Sequence, residues 1–340
     1  MKSLVWVGPR RFEMQEIATP KPGRGELLLK VSMVGICGSD LSGYLGENSL
    51  RKPPLVMGHE VGATVVDMAE DVTGWSLGQL VTVNPLLSCG SCRACRSGMR
   101  QLCPNRKIIG IHRPGAFAEY FTAPAAACFA IDGELEATLV EPLACAVRAN
   151  TQAKVGLADD VVVMGAGIIG LMSIWIAKQM GAKRRIVVDT NSDRLAKAMA
   201  WGATEVVNPR TMLVIEQIEQ ICPDGVDRAI DAVGTPETRL QCIQLVRAGG
   251  RVALVGLHND ATEVPGNTLV RQEIEVVGSF CYTDTDFRRA LQLVSQGSLT
   301  QNRDWVDIRT LKDGQVSFEE QIFGPAVFPK IVLQVSELYS

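Results

Sequence analysis

Alternating apolar and polar positions open the chain. Met1-Lys2-Ser3-Leu4-Val5-Trp6-Val7 alternates and then meets Gly8-Pro9, which predicts an edge strand. Short β-type runs follow, among them Glu26 to Val31 and Ala63 to Asp67, with glycines and prolines between them. Such closely spaced turn signals, held to about Asn150, predict an irregular barrel-like β domain. From Asp160 the period changes. Val161-Val162-Val163-Met164 fits a buried strand, and Ile168 to Met180 has helical spacing ended by Gly181. Arg185 to Asp189 reads as a second strand, and Ser192 stands where it can cap a helix running through Trp201 to Gly202. Thr204 to Asn208, Val226 to Val233, Arg251 to Gly256 and Ile274 to Phe280 supply four more strands, with helical spacing at Met212–Ile221 and Pro236–Val246. Six strands with helical crossovers predict an α/β fold with a doubly wound parallel sheet. Beyond it, Phe287 to Gln296 reads as a helix and Lys330 to Val335 as a final strand.

Length and composition narrow the class. With 340 residues the chain has room for two domains, and its 46% hydrophobic content is ordinary for a globular protein. A net charge of −3 argues against nucleic-acid binding, which needs a clustered basic face. The one long apolar run, Val161 to Ala177, is broken by Gly165, Gly167 and Gly170, so it reads as strand–turn–helix and not as a membrane span. The first residues lack the long apolar core of a signal peptide. Ten cysteines in a chain this large, four of them clustered, suit a reducing cytoplasm better than a disulfide framework.

Those four are Cys89, Cys92, Cys95 and Cys103, a C-x2-C-x2-C-x7-C run. Four thiolates this close can close a tetrahedral shell around one Zn²⁺, a site that holds a loop and does no chemistry. A second set looks open. Cys37 offers a thiolate, His59 an imidazole, and Glu60 or Glu141 a carboxylate. Taken singly, each has an ordinary explanation: a small core residue, a hydrogen-bonded histidine, or, in Glu141-Pro142, a carboxylate opening a helix. Together, in a chain with only three histidines, they fit a catalytic zinc with a position left for substrate.

Gly165-Ala166-Gly167-Ile168-Ile169-Gly170 follows one apolar strand, opens a helix, and precedes Asp189 at the end of the next strand. That is the context a dinucleotide loop needs. Gly165 allows the tight turn, Gly167 lets backbone approach a pyrophosphate, and Gly170 lets helix and strand pack. Asp189 would bind the adenosine ribose hydroxyls and repel a 2′-phosphate, which favours NAD over NADP.

In order along the chain, Gly35-Ile36-Cys37-Gly38-Ser39-Asp40, Gly58-His59-Glu60, the cysteine lobe, Glu141-Pro142-Leu143-Ala144 and the glycine loop resemble the zinc-containing medium-chain dehydrogenases over nearly the whole length. Glu141-Pro142-Leu143 and Tyr282 are similar to the sorbitol and polyol dehydrogenase branch. The resemblance implies a GroES-like catalytic domain from residues 1–150 and 285–340, with a zinc lobe near 88–104, and a Rossmann domain over 151–284. It implies two Zn²⁺ per chain, with Cys37, His59 and Glu60 on the catalytic ion and Glu141 bound directly or through its water. NAD would lie on Gly165, Gly167, Ile168, Ile169 and Gly170, with Asp189, Arg194 and Val255. Ser39 would begin a proton relay that many relatives end with a histidine at the position of Ser42. Candidate substrate contacts are Tyr44, Phe117, Phe280 and Tyr282, each equally at home in a core. The expected reaction is oxidation of a polyol or other secondary alcohol, with an amino-alcohol dehydrogenase of the threonine type as the alternative. A silent binding protein on the same fold is the non-enzyme alternative. Ile274 to Phe280 is expected to pair with its copy in a homodimer, alone or within a homotetramer.

Overall fold

The structure, a computed structural model, describes residues 1–297, 299 and 303–336. The parts of the expected C-terminal return at 298, 300–302 and 337–340 lie outside the described residues. Two compact units emerge, one of Met1–Glu141 with Thr283–Ser340, the other of Pro142–Tyr282. The chain passes from the first to the second inside one helix, Glu134–Ala153.

The first unit is mostly antiparallel β-structure. Its largest sheet places Glu26–Gly35 between Glu60–Met68 and Lys330–Gln334, with Val306–Thr310 beyond the latter. Its core gathers Leu27, Leu29, Val31, Val61, Val65 and Val81 with Phe117, Phe121 and Phe318. Strand Lys2–Gly8 is not an edge: it pairs with Arg11–Glu16 on one side and Leu55–Val56 on the other. The alternation at the N-terminus gave one face only, and the second neighbour comes from 50 residues away, where no periodic signal marks it.

In the second unit six parallel strands lie in the order Glu205–Val207, Arg184–Val188, Asp160–Met164, Val226–Asp231, Val246–Leu254 and Glu275–Gly278. Numbered along the chain this is 3-2-1-4-5-6, the doubly wound order that reverses at the first strand. Val161 to Met164 are all buried, as expected of a parallel strand covered by helices on both faces. Two local expectations fail. Asn191, not Ser192, caps the helix Ser192–Ala200: its side-chain oxygen accepts from the amides of Asp193 and Arg194 at 2.9 and 3.2 Å. Glu141-Pro142 does not open a helix either. The helix starts at Glu134 and carries Pro142 inside it. No helix among the described residues is long and apolar enough to cross a membrane.

Candidate active site

Cys37 ends the turn after strand Glu26–Gly35 and stands at the N-cap of helix Gly38–Leu45. His59 directly precedes strand Glu60–Met68, whose first residue, Glu60, lies opposite Gly35. Gly58, at φ 94°, makes the turn that delivers them. Strand pairing therefore brings the two sequence motifs together. One ligand atom from each of Cys37, His59 and Glu60 lies within 4.8 Å of the others, with His59 and Glu60 buried and Cys37 half-buried. Thiolate, imidazole and carboxylate at this spacing fit a zinc ion with a fourth position left for substrate oxygen. Glu141 is buried on the helix Glu134–Ala153 and is not part of that close group. Of the other histidines, His112 accepts the Ile108 amide on Nδ1 and His258 is exposed.

Two buried charges, Lys330 and Asp40, stand behind the trio. Lys330, at the start of the last strand, is 1% exposed and donates from Nζ to the Glu60 carboxylate and, at 2.9 Å, to the Ile36 carbonyl. It reaches Glu60 across the strand between them because Gly35 has no side chain. A Cβ there would overlap Glu60 Oε2 and stand 2.7 Å from Lys330 Cε. Asp40 supports the other side. Its Oδ2 accepts the Cys37 amide at 3.2 Å, and its Oδ1 faces His59 Nδ1 at 3.5 Å and Arg51 Nη2 at 2.9 Å. Burial pushes the Asp40 carboxyl up, but His59, Arg51 and the Cys37 amide outweigh it and hold it at about 2. Burial likewise opposes charge on His59, and Asp40 more than offsets that, raising the imidazole. A carboxylate behind a ligating imidazole fixes its ring and leaves the other nitrogen for the metal.

Removing one member of a buried ion pair leaves the other uncompensated. Lys330→Met is expected to lower stability by about 3–5 kcal/mol. Denaturant midpoints of the purified variant measure it, and an unchanged midpoint would show that Glu60 does not depend on Lys330.

The four cysteines of the lobe also converge. Cys89 and Cys103 sulfurs are 3.6 Å apart, Cys92 and Cys95 3.4 Å, and Cys89 and Cys95 3.9 Å. A tetrahedron with Zn–S bonds of about 2.3 Å has edges of about 3.8 Å, so the set fits zinc with no open position. Amides of Ser91 and Cys92 point at Cys89 and hold its thiol down at about 5.

In the second unit Gly165, at φ 95°, turns the chain after its strand, and Gly167 caps the helix Ile168–Gln179. A Cβ at Gly170 would overlap the Gly165 carbonyl, which explains that glycine by packing. A Cβ at Gly167 would meet nothing within 4 Å, so packing within the chain does not explain it; a phosphate group against the helix N-terminus would. Ile168 and Ile169 are the first, half-buried helical residues. Asp189 follows strand Arg184–Val188, and its carboxylate accepts the amides of Ala166 at 2.6 Å and Asn191 at 2.8 Å. These bonds fix it against the glycine loop. Arg194 lies close enough to feel the Asp189 charge, although burial dominates and lowers its guanidinium. Val255 follows strand Val246–Leu254 and donates its amide to the Asp231 carbonyl at 2.9 Å.

The substrate candidates divide. Tyr44 and Phe117 are fully buried in the core of the first unit. Tyr44 stacks on Phe12, and its hydroxyl donates to the Glu319 carboxylate at 2.5 Å. Phe117 packs edge-on to Phe318. Both are corrected from substrate contacts to core residues, because neither exposes surface to a ligand. Phe280 is half-buried and Tyr282 is buried, both at the end of the second unit.

A thiolate–imidazole–carboxylate trio, a tetrathiolate lobe and a phosphate-type glycine loop define a metal-dependent dinucleotide oxidoreductase. Residues 23–133 match the alcohol dehydrogenase GroES-like domain, and residues 169–296 match the zinc-binding dehydrogenase family. A sorbitol dehydrogenase of Bacillus subtilis is 32% identical over 331 residues, covering 94% of this chain and 91% of its own. An L-threonine 3-dehydrogenase of Chromobacterium violaceum is 33% identical over 276 residues, 79% of this chain and 81% of its own. The crystal structure of a zinc-binding dehydrogenase from Sinorhizobium meliloti bound to NADP superposes with a TM-score of 0.91 at 30% identity, covering 98% of both chains. The chain belongs to the zinc-dependent medium-chain alcohol dehydrogenase family, and it is an oxidoreductase.

Proposed function

We propose that this chain oxidises a secondary alcohol of a polyol or sugar-like substrate to a ketone, with NAD as acceptor. The observation that carries the reading is the close, largely buried group of Cys37, His59 and Glu60, backed by Lys330 and Asp40. These three residues hold the catalytic zinc, and Cys89, Cys92, Cys95 and Cys103 hold a structural one. Glu141 would serve the catalytic ion, directly or through its water. Zinc, when bound, supplies Lewis-acid polarisation of the substrate oxygen, and NAD supplies the hydride acceptor. Ser39 takes the substrate hydroxyl proton on Oγ, which lies 3.5 Å from Cys37 Sγ. Ser42 does not extend that relay: its hydroxyl donates back to the Ser39 carbonyl at 3.1 Å. Gly165, Gly167, Ile168, Ile169 and Gly170 seat the pyrophosphate, Asp189 and Arg194 the adenosine ribose, and Val255 the nicotinamide end. Phe280, half-buried, is the remaining candidate substrate contact; Tyr282, as buried as Tyr44 and Phe117, is placed with the core.

An NADH-formation screen across polyols, sugars, amino alcohols and simple alcohols tests the reading. Turnover with a polyol supports it. Turnover confined to threonine-like amino alcohols selects the alternative represented by the Chromobacterium violaceum relative. A purified, zinc-loaded protein that oxidises none of them, yet binds NADH, points to a silent binding protein.

The tetrathiolate cluster of Cys89, Cys92, Cys95 and Cys103 suits a reducing cytoplasm. Strand Glu275–Gly278 is the outer strand of its sheet, with Val276 38% exposed. An apolar edge of this kind invites pairing with a second copy about a two-fold axis. The protein is therefore read as a homodimer, or a homotetramer made of two. Val276→Lys is expected to halve the mass seen by light scattering at micromolar concentration; a monomeric wild-type protein would remove the interface.

A further inference from the structure

We infer that Arg51 is a positioning residue for the reaction, one guanidinium that holds both the Ser39 hydroxyl and the Asp40 carboxylate behind His59. The inference rests on the reading of Ser39 as proton carrier given above.

Arg51 lies in the loop after helix Gly38–Leu45, yet its side chain is fully buried. The helix is notched to receive it: a Cβ on Gly43 would overlap Arg51 Cδ. Burying a guanidinium is costly, and a well-packed apolar residue would fill this space more cheaply. What the charge adds is directional. Nη2 donates to Asp40 Oδ1 at 2.9 Å and to Ser39 Oγ at 3.3 Å. Asp40 Oδ1 is the atom that also faces His59.

A guanidinium has donors only, whereas a hydroxyl has one proton and two lone pairs. Arg51 therefore fills one lone pair of Ser39 and turns the hydroxyl proton away from itself. One lone pair then remains to receive the substrate proton, and the proton that Ser39 Oγ first directs at Cys37 Sγ leaves to a water molecule. The same cation pins Asp40, and through it the His59 ring. Both bonds leave the one atom Nη2; a lysine has donors enough for both neighbours, but its Nζ falls a bond short of the Nη2 position and lacks the fixed planar direction.

The test is a double-mutant cycle on the zinc-loaded enzyme, with Ser39→Ala, Arg51→Met and both together. Each single substitution is expected to lower kcat about tenfold or more, with KM for the alcohol within about twofold. In the Arg51→Met background, Ser39→Ala is expected to cost less than about twofold further, because the two act as a unit. A second readout needs no turnover. Zinc release to a chromophoric chelator is expected to be faster for one of the two ions in Arg51→Met and unchanged in Ser39→Ala. Fully additive losses of kcat, or zinc release and kcat both at the wild-type level in Arg51→Met, would overturn the inference. If Arg51→Met does not fold, Arg51→Lys carries the same cycle: it is expected to keep the wild-type melting temperature and zinc release while losing kcat. A Lys variant with wild-type kcat overturns the inference equally. A silent Ser39→Ala in an active enzyme sinks the relay reading itself, an outcome distinct from additivity.

Discussion

Cys37→Ser is expected to bring the zinc content of the purified protein from two ions per chain to one, and to abolish measurable turnover. The catalytic ion contributes several kcal/mol by holding charge on the substrate oxygen, which corresponds to roughly a thousandfold in rate. A serine hydroxyl does not replace a thiolate as a ligand at neutral pH. Serine can keep the helix cap at position 37, where the side chain faces the Asp40 amide and the Asp40 carboxylate accepts the amide of residue 37. Cys89→Ser should separate from it cleanly. That variant also loses one zinc, but the loss falls on the tetrathiolate lobe, whose short helix Arg93–Arg96 has few apolar contacts of its own. Its melting temperature should fall, with the surviving folded fraction still active. Elemental analysis and a melting curve distinguish the two. If Cys37→Ser keeps both ions or its activity, the trio is not the metal centre.

Asp189→Ser is expected to shrink or reverse a preference for NAD⁺ over NADP⁺. The carboxylate stands beside the glycine loop, fixed by the amides of Ala166 and Asn191. Hydrogen bonds from two ribose hydroxyls to a charged acceptor contribute about 1.5–3 kcal/mol each, and a 2′-phosphate in their place meets like charge. Removing the carboxylate should weaken NAD⁺ by roughly tenfold to a hundredfold and leave NADP⁺ unchanged or improved, with Arg194 nearby as a cation. Ratios of kcat/KM for the two cofactors measure it. The structural relative bound to NADP makes the comparison pointed: a wild-type enzyme that works better with NADP⁺ would remove this role from Asp189.

What was legible in the sequence shares one property: its parts lie close together along the chain. The cysteine lobe spans 15 residues and the glycine loop six, so spacing alone carries their chemistry. The central parallel strands were legible because they are buried apolar runs; the outer two, Glu205–Val207 and Glu275–Gly278, are short and more exposed but still apolar at their valines. Long-range partners were not. Lys330 sits in an apolar strand where a lysine reads as a surface residue, and its carboxylate is 270 residues upstream. Arg51, in a loop of polar and proline residues, reads as solvated. The helix Gly314–Phe323 and the strand Val306–Thr310 were also missed. Both are short, and their exposed polar positions interrupt the apolar period. Tyr44 and Phe117 show the reverse error. An aromatic residue suits a pocket and a core equally, and the rings of Tyr44 and Phe117 build the core.

The passage of Lys330 across Gly35 to Glu60 also sets an order of events during synthesis. Pro142–Tyr282 is one continuous segment and can fold as it leaves the ribosome, but the unit carrying the metal trio is made of both ends of the chain. At about 5–20 residues per second, the 270 residues between Glu60 and Lys330 take roughly 15 to 55 seconds to make. From Glu141 onward the nascent protein holds every proposed metal ligand and lacks the lysine that pairs with Glu60. A message cut short just before codon 330 would therefore encode all seven cysteine, histidine and glutamate residues of the two close groups but not the lysine that keeps one of them, Glu60, paired in the interior.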